Sequence, residues 1–251
     1  MLDRSVEQIL VHLEEARQRG SDGLVFDGDG TLWRGDISED VFCAAVAEER
    51  LLAEALPALR AVASEHAVDT RGSASEVAGK IFDAYRRGEF PEALVCEVMA
   101  WCYAGWSLPA LDDFAAKVLS SLTGRLNHEL APVFDWARMH GLRVAVVSAS
   151  PRPLVEHAAR QWGIPECDIA AATAALERER IAPRLQEELP YGVGKRRAAE
   201  RLLGATAWLG AFGDSDFDLP LLEGAAVGVA VRPKESLLRP RSELSGLFCL
   251  S

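Results

Sequence analysis

A short apolar segment followed by two closely spaced aspartates most constrains the fold of this chain. Residues 24–26, Leu-Val-Phe, lead directly into Asp27 and Asp29, which are separated only by Gly28. The apolar run predicts a short buried strand, and the glycines that follow predict a turn. Two carboxylates at a strand end repel each other unless a cation or a proton lies between them. The segment therefore predicts a divalent-metal site in which one carboxylate is free to act as a nucleophile.

Downstream of residue 127, apolar segments alternate with helical ones. The apolar runs are continuous rather than alternating with polar residues, as is typical of strands in a parallel sheet covered on both faces. We therefore predict an α/β fold with a Rossmann-like parallel-sheet core, preceded by an amphipathic helix over residues 1–20. Strands are predicted at 24–26, 143–148, 169–175, 208–212 and 226–231, helices at 129–140, 151–163, 195–203 and 219–223, and an irregular stretch between 176 and 194.

The segment 36–124 has helical periodicity throughout and no convincing strand. Its prolines, glycines and serines divide it into five short helices, the first with Ser38 as its predicted N-cap. The chain is thus expected to consist of a core formed by residues 1–35 and 125–251 and a helical bundle, residues 36–124, inserted after the first acidic motif.

Composition limits the cellular setting and the partners. The formal net charge of −11 disfavours nucleic acid, which an acidic surface repels. The five cysteines are scattered without metal-ligand spacing, which is typical of reduced thiols. No apolar run is long enough to span a membrane, and the first helix lacks the apolar core of a signal peptide. A cytoplasmic protein without nucleic-acid or membrane partners is expected, as a monomer or a homodimer.

Other chemically capable residues fall at predicted strand ends or helix starts. Ser148 ends one strand, Asp214 follows another, and Lys195 begins a helix after Gly-Val-Gly. In a parallel sheet, ligands bind at the carboxyl ends of the strands. A P-loop is excluded, because Leu189 and Arg196 stand where that motif needs glycine and serine or threonine.

Four segments in this order resemble the haloacid dehalogenase-like superfamily, and most closely its phosphoserine phosphatase-like subfamily. They are Phe-Asp-Gly-Asp-Gly-Thr-Leu at 26–32, Val-Val-Ser-Ala-Ser-Pro at 146–151, Gly-Val-Gly-Lys at 192–195 and Gly-Asp-Ser-Asp-Phe-Asp-Leu-Pro at 213–220. The resemblance implies a Mg²⁺-dependent phosphatase that hydrolyses a small phosphomonoester through an aspartyl-phosphate, and it implies that the helical insert is a cap over the site.

The resemblance also implies a role for each motif residue. Asp27 resembles the nucleophile and Asp29 the general acid/base. Asp27, the backbone carbonyl of Asp29, and Asp214 would hold Mg²⁺, while Asp218 would approach the metal through water or orient Lys195. No role is assigned to Asp216. The phosphoryl group would be held by Ser148, by the amides of Gly28 and Ala149, and by the Lys195 charge.

The substrate is constrained less. An acid at the position of Asp36 contacts the substrate amine in phosphoserine phosphatases, but it is usually Glu. Phe217 replaces an asparagine of the last motif, so both departures weaken phosphoserine as the substrate. Arg86 is a candidate clamp for a second anionic group or an ordinary surface residue. The aromatic residues of the insert form either bundle core or a substrate-facing wall: Phe82, Tyr85, Phe90, Trp101, Tyr103 and Trp106.

Two alternatives to hydrolysis remain open. A phosphomutase or phosphotransferase would use the same aspartyl-phosphate and pass the phosphoryl group to an acceptor other than water. A non-catalytic phosphate-binding module would keep the fold without turnover, although the presence of Asp27, Asp29, Lys195 and Asp214 argues against it.

Overall fold

The structure, a computed structural model, describes residues 2–204, 207–238 and 247–250. None of the helices in these ranges is both long enough and apolar enough to cross a membrane. The strands are β1 Leu2–Asp3, β2 Leu24–Phe26, β3 Val144–Pro151, β4 Ile169–Ala172, β5 Ala174–Glu177, β6 Arg180–Leu185, β7 Trp208–Gly213, β8 Ala225–Val231 and β9 Phe248–Leu250. The helices are α1 Val6–Gln18, α2 Ile37–Ala47, α3 Leu56–Glu65, α4 Ala74–Arg86, α5 Glu92–Trp101, α6 Leu108–Val118, α7 Ala131–Met139, α8 Arg152–Ala159, α9 Val193–Leu203, α10 Leu219–Glu223 and α11 Glu235–Leu238.

Seven strands form one parallel sheet in the order β1-β9-β8-β7-β2-β3-β4. The chain places β3 and β4 on one side of β2 and then returns to place β7 and β8 on the other. The carboxyl end of β2 therefore lies at the point where the strand order reverses. Open α/β sheets bind their ligands at such a point.

The sheet is covered by helices on both faces, which confirms the predicted α/β, Rossmann-like architecture. Successive side chains of a strand point to opposite faces, and β2 shows this directly. Leu24 and Phe26 pack in the larger core cluster with residues of α1, α7 and α8. Val25 packs on the other face in a cluster with residues of α9 and α10. Because β2 is buried on both faces, its sequence has no polar residue before Asp27.

The segment between β2 and β3 is helical, as predicted, and carries α2 to α6. Helix α2 packs against α4, α5 and α6, while α5 also contacts β3, β4 and β6. Of the aromatic residues considered for a substrate wall, Tyr85 is partly buried and packs against the core. The other five are buried in the core and hold the bundle together: Phe82, Phe90, Trp101, Tyr103 and Trp106.

Several element boundaries differ from the predictions. The first helix begins at Val6, where Ser5 and Gln8 form a capping box, and not at Met1, which lies outside the described residues. Leu2–Asp3 and Phe248–Leu250 are parallel strands that their short lengths concealed in the sequence. The stretch predicted to be irregular contains an antiparallel hairpin, β5 and β6, and Pro183 lies where the register between the two strands shifts.

The predicted cap of α2 is wrong. Asp36, not Ser38, caps α2, since its carboxylate accepts the Glu39 amide at 2.9 Å and the Ser38 hydroxyl at 2.6 Å. A carboxylate accepts two donors more readily than a hydroxyl does, and its charge suits a helix N-terminus.

Candidate active site

Asp27 lies at the carboxyl end of the central strand β2 and is 4% exposed. Its backbone amide donates to the carbonyl of Phe212 in β7 at 2.9 Å, which extends the sheet pairing by one residue. One carboxylate oxygen accepts from Lys195 Nζ at 2.5 Å, and the other accepts from the Thr31 hydroxyl at 3.1 Å. The carboxylate is thus fixed by a cation and a hydroxyl while its residue still lines a cleft.

The charge state of Asp27 depends on its neighbours. Burial raises its pKa well above the usual range, and the charges of Asp218 and Asp214 raise it further. The Lys195 ammonium opposes that shift. Lys195 itself remains protonated, because the two carboxylates outweigh the effect of burial and raise its pKa. The lysine is therefore the group that favours an ionised, nucleophilic Asp27.

Asp218 holds Lys195 in place. One of its oxygens accepts from Lys195 Nζ at 2.5 Å. The other accepts the amides of Asp214 and Ser215 at 3.0 and 2.9 Å and the Ser215 hydroxyl at 3.0 Å. Burial raises the pKa of Asp218, but the Lys195 charge and these hydrogen bonds outweigh it and lower the pKa. With both oxygens engaged, Asp218 serves as an anchor for the lysine.

Asp29 has a different environment from Asp27. One oxygen accepts from the Trp33 indole at 2.8 Å and from the amide of Ile37 at 2.7 Å. The other accepts from the Ser150 hydroxyl at 2.5 Å. Burial and the charge of Asp36 raise the pKa of Asp29 to about 7, although its three hydrogen bonds act in the opposite direction. Near neutral pH the side chain therefore populates both protonation states.

Asp214 completes an acidic cluster with Asp27 and Asp218, whose carboxylate oxygens lie within 4.8 Å of one another. Burial raises the pKa of Asp214, while an ion pair with Lys234 at 3.0 Å lowers it. Gly30 permits the close approach of Asp214. The glycine has φ of +83°, and a Cβ there would overlap the Asp214 carboxylate.

The donor set fits Mg²⁺. This ion prefers oxygen ligands and is commonly held by one or two carboxylates together with water. Asp27 and Asp214 supply converging carboxylates from neighbouring parallel strands. Asp218 belongs to the same cluster, but its oxygens already accept four hydrogen bonds. Asp27 and Asp214 are therefore the side chains that could bind the metal directly.

The other predicted phosphate-binding positions lie beside Asp27. Ser148 is buried at the end of β3, and its hydroxyl accepts the Ser150 amide at 3.1 Å. Gly28 has no space for a side chain, because a Cβ would lie 2.6 Å from the Trp33 ring and 3.5 Å from the Ser148 hydroxyl. Ala149 lines the cleft together with Ser148. Ser148 and Ala149 thus line the same cleft as Asp27, and Gly28 lies close to the Ser148 hydroxyl.

These residues surround a cleft of about 470 Å³, measured out to solvent. Asp36 contributes to its wall, so the structure brings this predicted substrate residue close to Asp29. Arg86 is exposed at the end of α4 and does not line the cleft, and Asp218 lies below its surface. The predicted site residues that line the cleft are Asp27, Asp29, Asp36, Ser148, Ala149, Lys195 and Asp214.

Several residues of the site were missed by the motif analysis. Thr31 and Ser150 lie inside recognised motifs and donate hydrogen bonds to Asp27 and Asp29, respectively. Their position in the motifs could have identified them from the sequence. Lys234 follows strand β8 at the same sheet edge, which also could have identified it. Glu92 and Tyr191 line the cleft from a helix start and a loop, where the sequence has no distinguishing pattern.

Comparison with solved structures shows a shared fold. A protein of unknown function from Bordetella pertussis Tohama I has a TM-score of 0.69 and 19% identity over 92% of this chain and 99% of its own. A HAD family hydrolase from Salmonella enterica serovar Typhi has a TM-score of 0.59 and 15% identity, over 94% and 75%. A substrate-bound phosphoserine phosphatase has a TM-score of 0.56 and 15% identity, over 92% of each chain.

Sequence comparison identifies the family. No curated protein matches the chain. The family model described as haloacid dehalogenase-like hydrolase matches residues 24–223, a range that includes all four motifs and the helical insert. The resemblance predicted from the motifs is thereby confirmed, together with the prediction of an enzyme. The chain belongs to the haloacid dehalogenase-like hydrolases.

Proposed function

We propose that the protein is a Mg²⁺-dependent phosphatase that hydrolyses a small phosphomonoester through an aspartyl-phosphate on Asp27. The observation that carries the proposal is the buried Asp27 carboxylate, which lines the cleft and is bonded to Lys195 at 2.5 Å. A carboxylate held against a fixed ammonium can attack an anionic phosphoryl group, because the ammonium offsets the repulsion between the two anions. The similarity to solved phosphoserine phosphatases supports this class of reaction.

In the first step, an oxygen of Asp27 attacks phosphorus and forms a P–O bond as the bond to the leaving oxygen breaks. The leaving oxygen gains electron density and takes a proton from Asp29. The Ser150 hydroxyl and the Trp33 indole fix the orientation of the Asp29 carboxyl group. The products are the free alcohol and an aspartyl-phosphate.

In the second step, water attacks the phosphorus of the aspartyl-phosphate and gives its proton to the Asp29 carboxylate. The P–O bond to Asp27 breaks, and its electrons return to the Asp27 carboxylate. Phosphate leaves, and the starting protonation of Asp29 is restored. Lys195, Ser148 and the amides of Gly28 and Ala149 bind the phosphoryl oxygens in both steps. Lys195 is bonded to Asp27, and Ser148 and Ala149 line the same cleft.

Asp27, Asp214 and the backbone carbonyl of Asp29 are the proposed Mg²⁺ ligands. The bound ion would supply positive charge that neutralises the phosphoryl oxygens. Asp218 positions Lys195 without binding the metal, because its oxygens are engaged by protein donors. Lys234 lies against Asp214 and would have to yield space or share the carboxylate when the ion binds.

We assign residues 36–124 to a cap domain that closes over a core formed by residues 1–35 and 125–251. Helices α2 and α5 contribute Asp36, Ser38, Glu92 and Cys96 to the cleft wall. Closure of such an insert would exclude water and select the leaving group.

Turnover of a generic aryl phosphate with Mg²⁺ tests the proposal. We expect release of p-nitrophenol and phosphate that requires Mg²⁺, and incorporation of one ¹⁸O atom from labelled water into each phosphate released. A phosphotransferase would instead need an added acceptor alcohol and would place the phosphoryl group on it. Absence of turnover at any Mg²⁺ concentration would contradict phosphatase function.

A further inference from the structure

Two acidic and two aromatic residues of the cleft wall are not used by the proposed reaction. Asp36 and Glu92 enter from α2 and α5 of the helical insert. Tyr191 and Phe217 enter from the core, before α9 and after β7. We call these four residues the leaving-group wall.

Glu92 is a half-buried carboxylate at the first residue of α5. Within the described ranges, its side chain has no hydrogen bond or salt bridge. Burial raises its pKa, and the charge of Lys234 acts in the opposite direction. Its charge also contributes to raising the pKa of the Tyr85 and Tyr191 hydroxyls, which places all three groups near one another. A partly desolvated carboxylate without a direct partner is a ready acceptor for a cation.

Asp36 supplies a second negative charge to the same wall. One of its oxygens caps α2 and bonds to Ser38. Asp36 lines the cleft, and its charge raises the pKa of Asp29, Glu92 and Cys96. Within the described residues, no donor bonds to its second oxygen, which can therefore accept a hydrogen bond from a ligand.

Tyr191 and Phe217 form an aromatic pair in this wall. Their ring centroids lie 4.4 Å apart with an interplanar angle of 37°. The faces of aromatic rings attract ammonium groups, most strongly where water is partly excluded. Two rings beside two carboxylates favour a positively charged ligand over a neutral or anionic one.

The cleft offers little to a carboxylate on the leaving group. Among the described residues, its basic lining side chains are Lys195 and Lys234. Lys195 is buried between Asp27 and Asp218, and Lys234 is paired with Asp214 at 3.0 Å. Arg86 lies outside the lining. Among the described lining residues, Lys234 is therefore the one side chain that could receive a substrate carboxylate once Mg²⁺ binds Asp214, whereas Asp36 and Glu92 would repel it.

We propose that the leaving group is an amino alcohol that carries an ammonium group and no carboxylate, with the ammonium held between Asp36, Glu92 and the Tyr191–Phe217 pair. This inference rests on the proposed phosphatase function and names its substrate class. It distinguishes this chain from an enzyme for a phosphorylated amino acid.

A panel of phosphate esters tests the inference on the wild-type protein. Phosphocholine and phosphoethanolamine carry the cation, glycerol phosphate lacks it, and phosphoserine adds a carboxylate. With Mg²⁺ present, we expect kcat/KM for the two cationic esters to exceed that for the other two by at least about ten-fold, the factor that corresponds to 1.4 kcal/mol. The aryl phosphate reports the chemistry independently of the leaving-group wall.

Variants assign the preference to residues. Glu92→Gln keeps the shape of the side chain and removes its charge. We expect the ratio of kcat/KM for phosphocholine to that for the aryl phosphate to fall by about ten-fold, as for a desolvated cation contact. Tyr191→Leu should reduce the same ratio. Glu97→Gln is the matched control, because Glu97 is also half-buried on α5 but does not line the cleft, and its ratio should match the wild type.

The possible outcomes separate this inference from the proposed function. Turnover of the aryl phosphate without preference for the cationic esters would overturn the inference and leave the phosphatase intact. A preference for phosphoserine over phosphoethanolamine would overturn the exclusion of a carboxylate. If folded Glu92→Gln kept the wild-type ratio of kcat/KM for phosphocholine to that for the aryl phosphate, the proposed contact between Glu92 and the ammonium group would be wrong. Absence of turnover with every ester would overturn both proposals.

Discussion

The two walls of the cleft differ in how their charged side chains are satisfied. On the core wall, the buried Lys195 donates to the buried carboxylates of Asp27 and Asp218, each at 2.5 Å. On the wall formed by the insert, Glu92 is half-buried and has no direct side-chain partner within the described residues. The core wall is thus held in one arrangement before substrate binds, whereas the Glu92 carboxylate of the insert wall is available to bind a ligand.

This difference separates chemistry from recognition. In the proposed reaction, preorganised charges on the core wall act on the phosphoryl group, which is common to every phosphomonoester. The Glu92 side chain has no direct partner within the described residues, so the residue at this position can change with the leaving group without disturbing the reaction. Substitutions in the two walls should therefore have effects of different size and kind.

The largest effect is expected for Asp27→Asn. The amide keeps the shape of the side chain but cannot form the aspartyl-phosphate, so turnover of an aryl phosphate should fall by at least about 10⁴-fold. The fold should persist, because Lys195 retains its bond to Asp218. Steady-state kinetics with circular dichroism would check both parts. Asp83→Asn, on the exposed side of α4, is the control and should retain full activity. Activity within ten-fold of wild type in Asp27→Asn would refute the mechanism.

The next largest effect is on stability and compares two lysines. Lys195→Met leaves the buried carboxylates of Asp27 and Asp218 without their cation, which should cost about 3–5 kcal/mol of unfolding free energy. Lys234→Met also removes a salt bridge to a buried aspartate, but the Lys234 side chain is 62% exposed. Its loss should cost at most about 1 kcal/mol, as for other solvated ion pairs. Urea denaturation would measure the unfolding free energy of both variants. Equal losses in the two variants would contradict the expected difference between the buried and the exposed lysine.

The core wall was largely predictable from sequence because its residues are fixed by strand ends. Asp27, Ser148 and Asp214 follow short apolar runs whose parallel pairing brings them to one edge of the sheet. That rule needs only the order of strands and helices. It also could have identified Lys234, which follows β8 in the same way. The family motifs then distinguished the residues of this edge by chemistry.

The insert wall was less predictable, since helix packing rather than sheet pairing positions it. Trp101 and Tyr103 are aromatic residues of the kind common at binding surfaces, but they are buried in the bundle. The aromatic residues of the leaving-group wall are instead Tyr191 and Phe217 of the core. Local capping was also misassigned. Asp36 competes with Ser38 for the start of α2, and a single sequence does not show which side chain reaches the Glu39 amide.

Metal binding should produce a smaller effect on stability than loss of Lys195. A ligand that binds only the folded state stabilises it by about 2.7 kcal/mol at a concentration of 100 times its Kd. Mg²⁺ should therefore raise the melting temperature of the wild type, and Asp214→Asn should lose most of that rise because Asp214 is a proposed ligand. Asp83→Asn should keep it. The measurement needs no substrate. A wild-type melting temperature that does not change with Mg²⁺ would contradict the metal assignment.

The smallest effect separates the two functions of Asp36. Asp36→Ala removes the cap of α2 and should cost about 1 kcal/mol of unfolding free energy, whereas Asp36→Asn caps equally well and should cost only a few tenths. Both variants remove the negative charge from the leaving-group wall. Both should therefore lower the ratio of kcat/KM for phosphocholine to that for the aryl phosphate, by similar factors. If only Asp36→Ala lowers the ratio, Asp36 acts on the substrate solely by holding α2, and Glu92 with the aromatic pair must supply the recognition of the ammonium group.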